Sequence, residues 1–395
     1  MSEFTIGRPV RIYDVGGQHS DVSTEELVSR KFNYFRGWKC AAGKENINID
    51  FDGYALFASC GVGTHLHPED PIWYSGILGN VYDGYLIVPK EWITCNIDAC
   101  ACGADIFIPK YDPNLGSEQH LKKFNNESTQ NDLRLEPNSQ SITNVVAVER
   151  THTSKYKQVF WELARRCNFN CSYCPDYVHN NTENHKNWDT LYSAYELIKE
   201  KFLLGNSATF VISGGEPTVN PNYMDLVKLL HDEGHKISTH SNGSRTPEYY
   251  AELICYSDIN FSIHFEYLDR YTINLKGQEK FIKIISTIIE RMIEKDSYGS
   301  YTFIRPEFRG HCEVMFMVMP GKLEEALELE QKLLRIPKFL DYCTHTFMPI
   351  RTNELANAKG VESIIEGREG NELLSDYTKE ELEQMGARSD LYEYE

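Results

Sequence analysis

A chain of 395 residues with 41% hydrophobic and 25% charged side chains has room for two domains with separate cores, and this composition excludes disordered, collagen-like and fibrous classes. Its 58 acidic against 40 basic residues, net −18, argue against a broad basic surface for nucleic acid. No run approaches the roughly eighteen consecutive apolar residues of a membrane span, and Met1–Arg8 has no basic segment followed by an apolar one, so the expected setting is cytoplasmic, without a membrane partner.

The first hundred residues read as a small β-rich unit. Ile47-Asn48-Ile49-Asp50-Phe51 alternates, Asp52-Gly53 is a hairpin turn, and Tyr54-Ala55-Leu56-Phe57 returns. Residues 112–150, rich in Asn, Ser, Gln and charge, read as a polar linker between domains spanning 1–111 and 151–351.

Beyond it, apolar runs alternate with helical patterns. Strands are expected at Val159–Leu163, Ala208–Ser213, Ile237–His240, Ile259–Phe265, Val314–Met319 and Thr346–Ile350. Helices are expected between them: Leu191, Tyr195, Ile198 and Phe202 share a face, as do Phe281, Ile284, Ile285, Ile288, Ile289 and Met292. Two more helices are read at Tyr223–Glu233 and Glu248–Tyr256, and another at Leu323–Leu334. Six strands alternating with helices imply α/β architecture, a parallel sheet with right-handed crossovers and too few units for an eight-fold barrel. The expected fold is therefore a partial (β/α)6 TIM-like barrel preceded by the small β-rich, cysteine-containing domain. Residues 352–395 form an acidic tail, with twelve acidic and four basic side chains and one short helix started by the capping box Thr378-Lys379-Glu380-Glu381 and stopped at Gly386.

Eleven cysteines in a chain expected to stay reduced point to metal binding rather than disulfides. Cys167, Cys171 and Cys174 have the spacing C-x3-C-x2-C, and three thiolates converging from one loop suit a soft metal centre. A zinc reading needs a fourth ligand at short spacing, and His179 is the nearest. One βα unit later, Ser213-Gly214-Gly215-Glu216-Pro217 marks the end of the second strand, where two glycines let backbone approach a ligand closely.

This combination, with Glu162-Leu163-Ala164-Arg165-Arg166-Cys167-Asn168-Phe169 leading into the trio and Tyr173 before its last cysteine, resembles the radical SAM superfamily over about residues 155–350. The resemblance implies that Cys167, Cys171 and Cys174 ligate a [4Fe-4S] cluster whose fourth iron chelates S-adenosylmethionine. It also implies that Gly214, Gly215 and Glu216 line the methionine moiety, and that Asn242, Ser262 and His264 fall where the family contacts the ribose and carboxylate. Asn242 before Gly243 also suits a plain turn, and His264 a satisfied core histidine. Reductive cleavage would then yield a 5′-deoxyadenosyl radical that abstracts hydrogen from an unactivated carbon, with the electron supplied by a reductant such as flavodoxin or ferredoxin.

Cys40, Cys60, Cys95, Cys100 and Cys102, with the intervening hairpin and Gly79-Asn80, look like the auxiliary-cluster module called SPASM or twitch, here placed before the barrel rather than after it. That likeness implies a second [4Fe-4S] cluster on Cys40, Cys60, Cys95 and one of Cys100 and Cys102. A zinc staple drawing on His65 and His67 is the alternative. Cys255, Cys312 and Cys343 read as core or loop thiols. Three functions remain open. The first is hydrogen abstraction from an amino-acid-like carbon of a peptide or small aminoacyl substrate, leading to oxidation, cross-linking or epimerisation. The second is radical isomerisation that rearranges an aminoacyl-modified thymidine in phage DNA. The third is non-catalytic electron transfer or sensing.

Overall fold

The computed structural model describes residues 9–58, 76–95, 97–100, 105–117, 142, 144–150, 157–169, 171, 183–264, 274–298, 311–349, 364–367, 370–373 and 377–385. They fall into two units, residues 1–49, 53–159 and 196–206 in the first, and 50–52, 160–195 and 207–395 in the second. Cys60, His65, His67, Cys102, Cys174, His179 and Gly386 lie outside the described residues. Among the described residues no helix is long and apolar enough to cross a membrane.

The first unit is built from short strands. β1 (Pro9–Tyr13) and β2 (His19–Ser23) form a hairpin followed by helix α1 (Thr24–Ser29). β3 (Lys39–Cys40), β4 (Asn46–Ile49), β5 (Tyr54–Leu56), β6 (Ile77–Asn80), β7 (Tyr85–Leu86), β8 (Ile93–Thr94), β9 (Lys110–Tyr111) and β10 (Ala147–Arg150) follow. One sheet has the order β2-β1-β10-β9-β3-β8, with antiparallel pairing throughout, and β4 to β7 make an antiparallel meander. The alternation in β1 sorts its side chains by face. Val10 and Ile12, with Val22 and Val148, pack against Leu27, Phe35 and Ile106, and burying each Val or Ile contributes about 1.5–3 kcal/mol. On the other face Arg11 bonds Asp21, its cross-strand partner, at 2.7 Å, and the Tyr13 hydroxyl donates to Glu149.

β10 brings residues 147–150, the end of the stretch read as a linker, into this sheet. Ala147–Arg150 pairs with β1 on one side and β9 on the other, because Val146, Ala147 and Val148 are apolar enough to be fully buried. The polar composition of the preceding stretch hides this short strand.

The second unit alternates strands with helices. β11 (Lys157–Glu162), whose last three residues belong here, is followed by α2 (Trp188–Ile198), β12 (Ala208–Ser213), α3 (Tyr223–Asp232), β13 (Lys236–Ser241), α4 (Pro247–Leu253), β14 (Asp258–His264), α5 (Asn274–Tyr298), β15 (Cys312–Val318), α6 (Leu323–Leu334) and β16 (Cys343–Pro349). Strand order follows chain order, and β12 to β16 pair in parallel. Alternate residues of each strand meet the helices. Phe210 lies 6.2 Å from Tyr195, Thr239 bonds Tyr223 at 2.7 Å, and Phe261 stacks edge-on with Tyr250 and Phe281 at 4.9 and 5.4 Å. The intervening residues, including Ser213, His240, Asn260, Ser262, His264 and Met317, therefore occupy the opposite face. Cys312 and Cys343 begin adjacent strands in register and are both buried. The neighbouring Cys343 and burial push the Cys312 thiol well up, consistent with an inert core thiol.

The tail contains the expected capped helix, α7 (Lys379–Gln384), with Thr378 and Glu381 forming both bonds of the box. It also holds an unexpected hairpin, Ile364–Gly367 paired with Gly370–Leu373.

Candidate active site at the strand ends

The segment leaving β11 runs directly against the end of β12. Leu163 N–H donates to Ser213 O at 3.0 Å, and Glu216 N–H to Arg166 O at 3.0 Å. Between these bonds the two backbones touch. A Cβ on Gly214 would lie 2.7 Å from Ala164 O, and one on Gly215 2.3 Å from Arg166 O. Gly214 also holds φ at +102°, a conformation other residues rarely adopt. The two glycines are thus needed for the close approach of these loops.

Glu216 is 1% exposed and its carboxylate is a junction. Oε1 accepts from Thr218 N–H (3.1 Å), Thr218 Oγ1 (2.5 Å) and Ser241 Oγ (3.0 Å), while Oε2 accepts from Asn242 N–H (2.5 Å). Burial raises its pKa above the ordinary carboxylate range, and the four donors oppose that rise. Glu216 also caps the 3-10 turn Pro217–Val219, with Pro at its first position.

From Asn242 the network returns to the cysteine loop. Its Nδ2 donates to Cys167 Sγ at 3.6 Å and to Asn168 Oδ1 at 3.1 Å, and its Oδ1 accepts from Ser244 N–H at 3.0 Å. Phe169 N–H also points at Cys167 Sγ, at 3.4 Å. Two residues before Cys167, Arg165 grips both carboxylate oxygens of Asp52 at 3.0 and 3.2 Å, pairs with Glu183, and lies 4.7 Å over the Phe51 ring. This fork fixes the approach to the loop.

The structure therefore gathers Cys167, Gly214, Gly215, Glu216 and Asn242, contributed by three consecutive strand ends. Cys171 is buried in the same loop. Ser262 and His264 stand on β14 on the face turned from the helices, and burial lowers the His264 pKa to about 4, so its ring is neutral. Glu162, at the end of β11, was not singled out from the sequence. Burial and the nearby Asp50 push its carboxyl up to about 7. Asn168, Thr218, Ser241 and Ser244 were also missed, although Asn242-Gly243-Ser244 carries an Asx-turn signature and Glu216-Pro217 a cap signature.

Among the cysteines proposed for a second cluster, Cys100 packs with Val10, Phe35 and Val148, and Cys40 with Ala41, Ala58 and Ile108, while Cys95 touches both groups. Among the described residues no three His, Cys, Asp or Glu side chains converge to hold a metal ion. Cys40, Cys95 and Cys100 thus form no such group by themselves.

Residues 161–328 match the family model described as Radical SAM superfamily. This chain carries a radical SAM domain. Among solved structures it is similar to Streptococcus suis SuiB bound to precursor peptide SuiA, at 13% identity over 49% of this chain and 39% of that one, with a TM-score of 0.34. It is also similar to SuiB bound to S-adenosylmethionine (13%, 50% and 41%, TM-score 0.33) and to archaeal TYW1 (15%, 40% and 57%, TM-score 0.24). The chain spans about two fifths of the length of these SuiB chains. No curated protein matches it. Members of that superfamily are enzymes that use a [4Fe-4S] cluster, S-adenosylmethionine and a reductant.

The chemistry of the donor set fits that cofactor pair. A thiol beneath two N–H donors suits a thiolate holding iron, and Gly214 and Gly215 present backbone without side chains beside it.

Proposed function

We propose that this protein is a radical SAM enzyme that takes hydrogen from an amino-acid-like carbon of a peptide or small aminoacyl substrate. The observation that carries this reading is the Cys167–Asn242–Glu216 network, which ties the cysteine loop to the ends of β12 and β13. In this reading the six strands curve as a partial barrel. Cys167, Cys171 and Cys174 hold the cluster and leave one iron without a protein ligand.

When bound, the cluster and S-adenosylmethionine supply a 5′-deoxyadenosyl radical once an electron arrives. The chain supplies position. Gly214 and Gly215 offer backbone groups to the methionine end, and Glu216 locks the loops that carry them. Ser262 and neutral His264 offer hydrogen-bonding groups without a charge, and Glu162, its pKa near 7, retains its proton through mildly acidic pH and offers an O–H donor. Below pH 7 these uncharged hydrogen-bonding groups on β11 and β14 would suit a zwitterionic or amide substrate held against a reactive carbon centre. The five cysteines within the first 102 residues support a second cluster on Cys40, Cys60, Cys95 and one of Cys100 and Cys102.

Anaerobic, reduced protein given S-adenosylmethionine is expected to release 5′-deoxyadenosine, and Cys171→Ala to abolish it. Deuterium passing from a labelled substrate into that product would identify the carbon. Reduced, iron-loaded protein that forms none would overturn the enzyme reading in favour of electron transfer.

A further inference from the structure

The carboxamide of Asn242 is engaged at both ends within the chain. Its Oδ1 accepts the Ser244 N–H at 3.0 Å, which fixes the amide orientation and turns Nδ2 toward the cysteine loop. Each hydrogen on Nδ2 then has an acceptor, Asn168 Oδ1 at 3.1 Å and Cys167 Sγ at 3.6 Å. The backbone is held as firmly, because Asn242 N–H is bound by the buried Glu216 carboxylate at 2.5 Å. Glu216, in turn, is anchored by Thr218 and Ser241. A side chain pinned by its own turn, a buried acid and a neighbouring amide is a preorganised donor. It points at a sulfur that already receives the Phe169 N–H at 3.4 Å.

Hydrogen bonds to a ligating sulfur draw charge from it and favour the reduced, more negative cluster. We infer that Asn242 is a positioning residue that donates to the Cys167 thiolate and sets the redox poise of the cluster, with Glu216 fixing its aim. This rests on the proposal that Cys167 is a cluster ligand. It assigns the carboxamide to the metal's sulfur ligand rather than to the ribose or carboxylate of the bound nucleoside. Without this donor the cluster would be harder to reduce, so the residue acts on the electron-entry step.

The test begins with iron analysis and an EPR-monitored redox titration of reconstituted wild type, Cys167→Ala, Asn242→Ala and Asn242→Asp. Asn242→Asp keeps the acceptor for Ser244 N–H and replaces the donor with a carboxylate oxygen. It is expected to bind iron as wild type does and to shift the one-electron equilibrium toward the oxidised cluster by about tenfold, ~59 mV. Asn242→Ala should shift it in the same direction by less. A second readout needs no variant: protein carrying 15N-asparagine should show a nitrogen coupling to the reduced cluster in pulsed EPR. An unchanged midpoint in both variants, or no such coupling in wild type, would overturn the inference while leaving the enzyme reading standing. Iron content and reduced-cluster EPR signals in Cys167→Ala unchanged from wild type would overturn both.

Discussion

Cysteine meets two different environments in the two units. In the first, Cys40, Cys95 and Cys100 sit among Ala41, Phe35, Val148 and other apolar side chains. In the second, Cys167 receives N–H donors from Phe169 and Asn242 on a loop fixed by Arg165. A thiolate carries charge, and charge without donors is costly in an apolar setting. The pair of donors therefore supports the proposal that Cys167 holds metal as a thiolate.

Iron counting would break this comparison most sharply. Anaerobically reconstituted wild type should carry about eight irons if both units hold a [4Fe-4S] cluster, and about four if only the cysteine loop does. Cys171→Ala should lose about four irons in either case, together with all 5′-deoxyadenosine formation. Cys100→Ala should retain the product-forming cluster. If Cys171→Ala kept its full iron while Cys100→Ala lost iron, the roles assigned to the two units would be reversed.

Sequence legibility divides along the same line. Ala208–Ser213 coincides with β12 and Leu323–Leu334 with α6, because each carries a full period of its pattern between turn residues. Parallel strands in chain order need no long-range information beyond that alternation. In the first unit, β3, β7, β8 and β9 are two residues long, too short to display any period. β10 finds its partner β1 from the far side of the polar stretch. The tail hairpin, by contrast, had a local signal in Gly367 and Gly370 flanking its turn. At the site, Gly214, Gly215 and Asn242 were legible as residues suited to close approach and turns. No local pattern could reveal that Glu216 accepts bonds from the next strand end, since that contact forms only when β12 and β13 lie side by side.

Polar junctions sharpen the comparison at the level of stability. Glu216→Ala would remove the buried acceptor of the Thr218 and Asn242 N–H groups and of the Thr218 and Ser241 hydroxyls. A loss of about 3 kcal/mol is expected, read from the urea midpoint. Tyr13→Phe in the first unit removes a single donor from Glu149 and should cost about 1 kcal/mol. Equal losses would show that the Glu216 junction holds no more than an ordinary buried bond.

The gentlest probe is pH, because each unit contains a glutamate pushed up to about 7. Burial pushes Glu149 to about 7 against the opposing pull of the Tyr13 hydroxyl and Arg11, and burial with nearby Asp50 pushes Glu162 to about 7. In the unfolded chain both release their protons near the ordinary glutamate value, about 4.3. Between those limits the folded state binds more protons than the unfolded one. Its stability is therefore fully present below about pH 4 and is lost as pH rises through 7, by at most about 4 kcal/mol per group. Glutamine imitates the protonated acid and has nothing to release, so Glu149→Gln and Glu162→Gln should each flatten part of that slope in urea titrations at pH 5 and 8. His264 gives the opposite sign, since its depressed value costs stability only as pH falls from about 6.5 toward 4. If the units unfold in separate transitions, Glu149→Gln should flatten one transition and Glu162→Gln the other. A single transition altered equally by both substitutions would show that the two units unfold together.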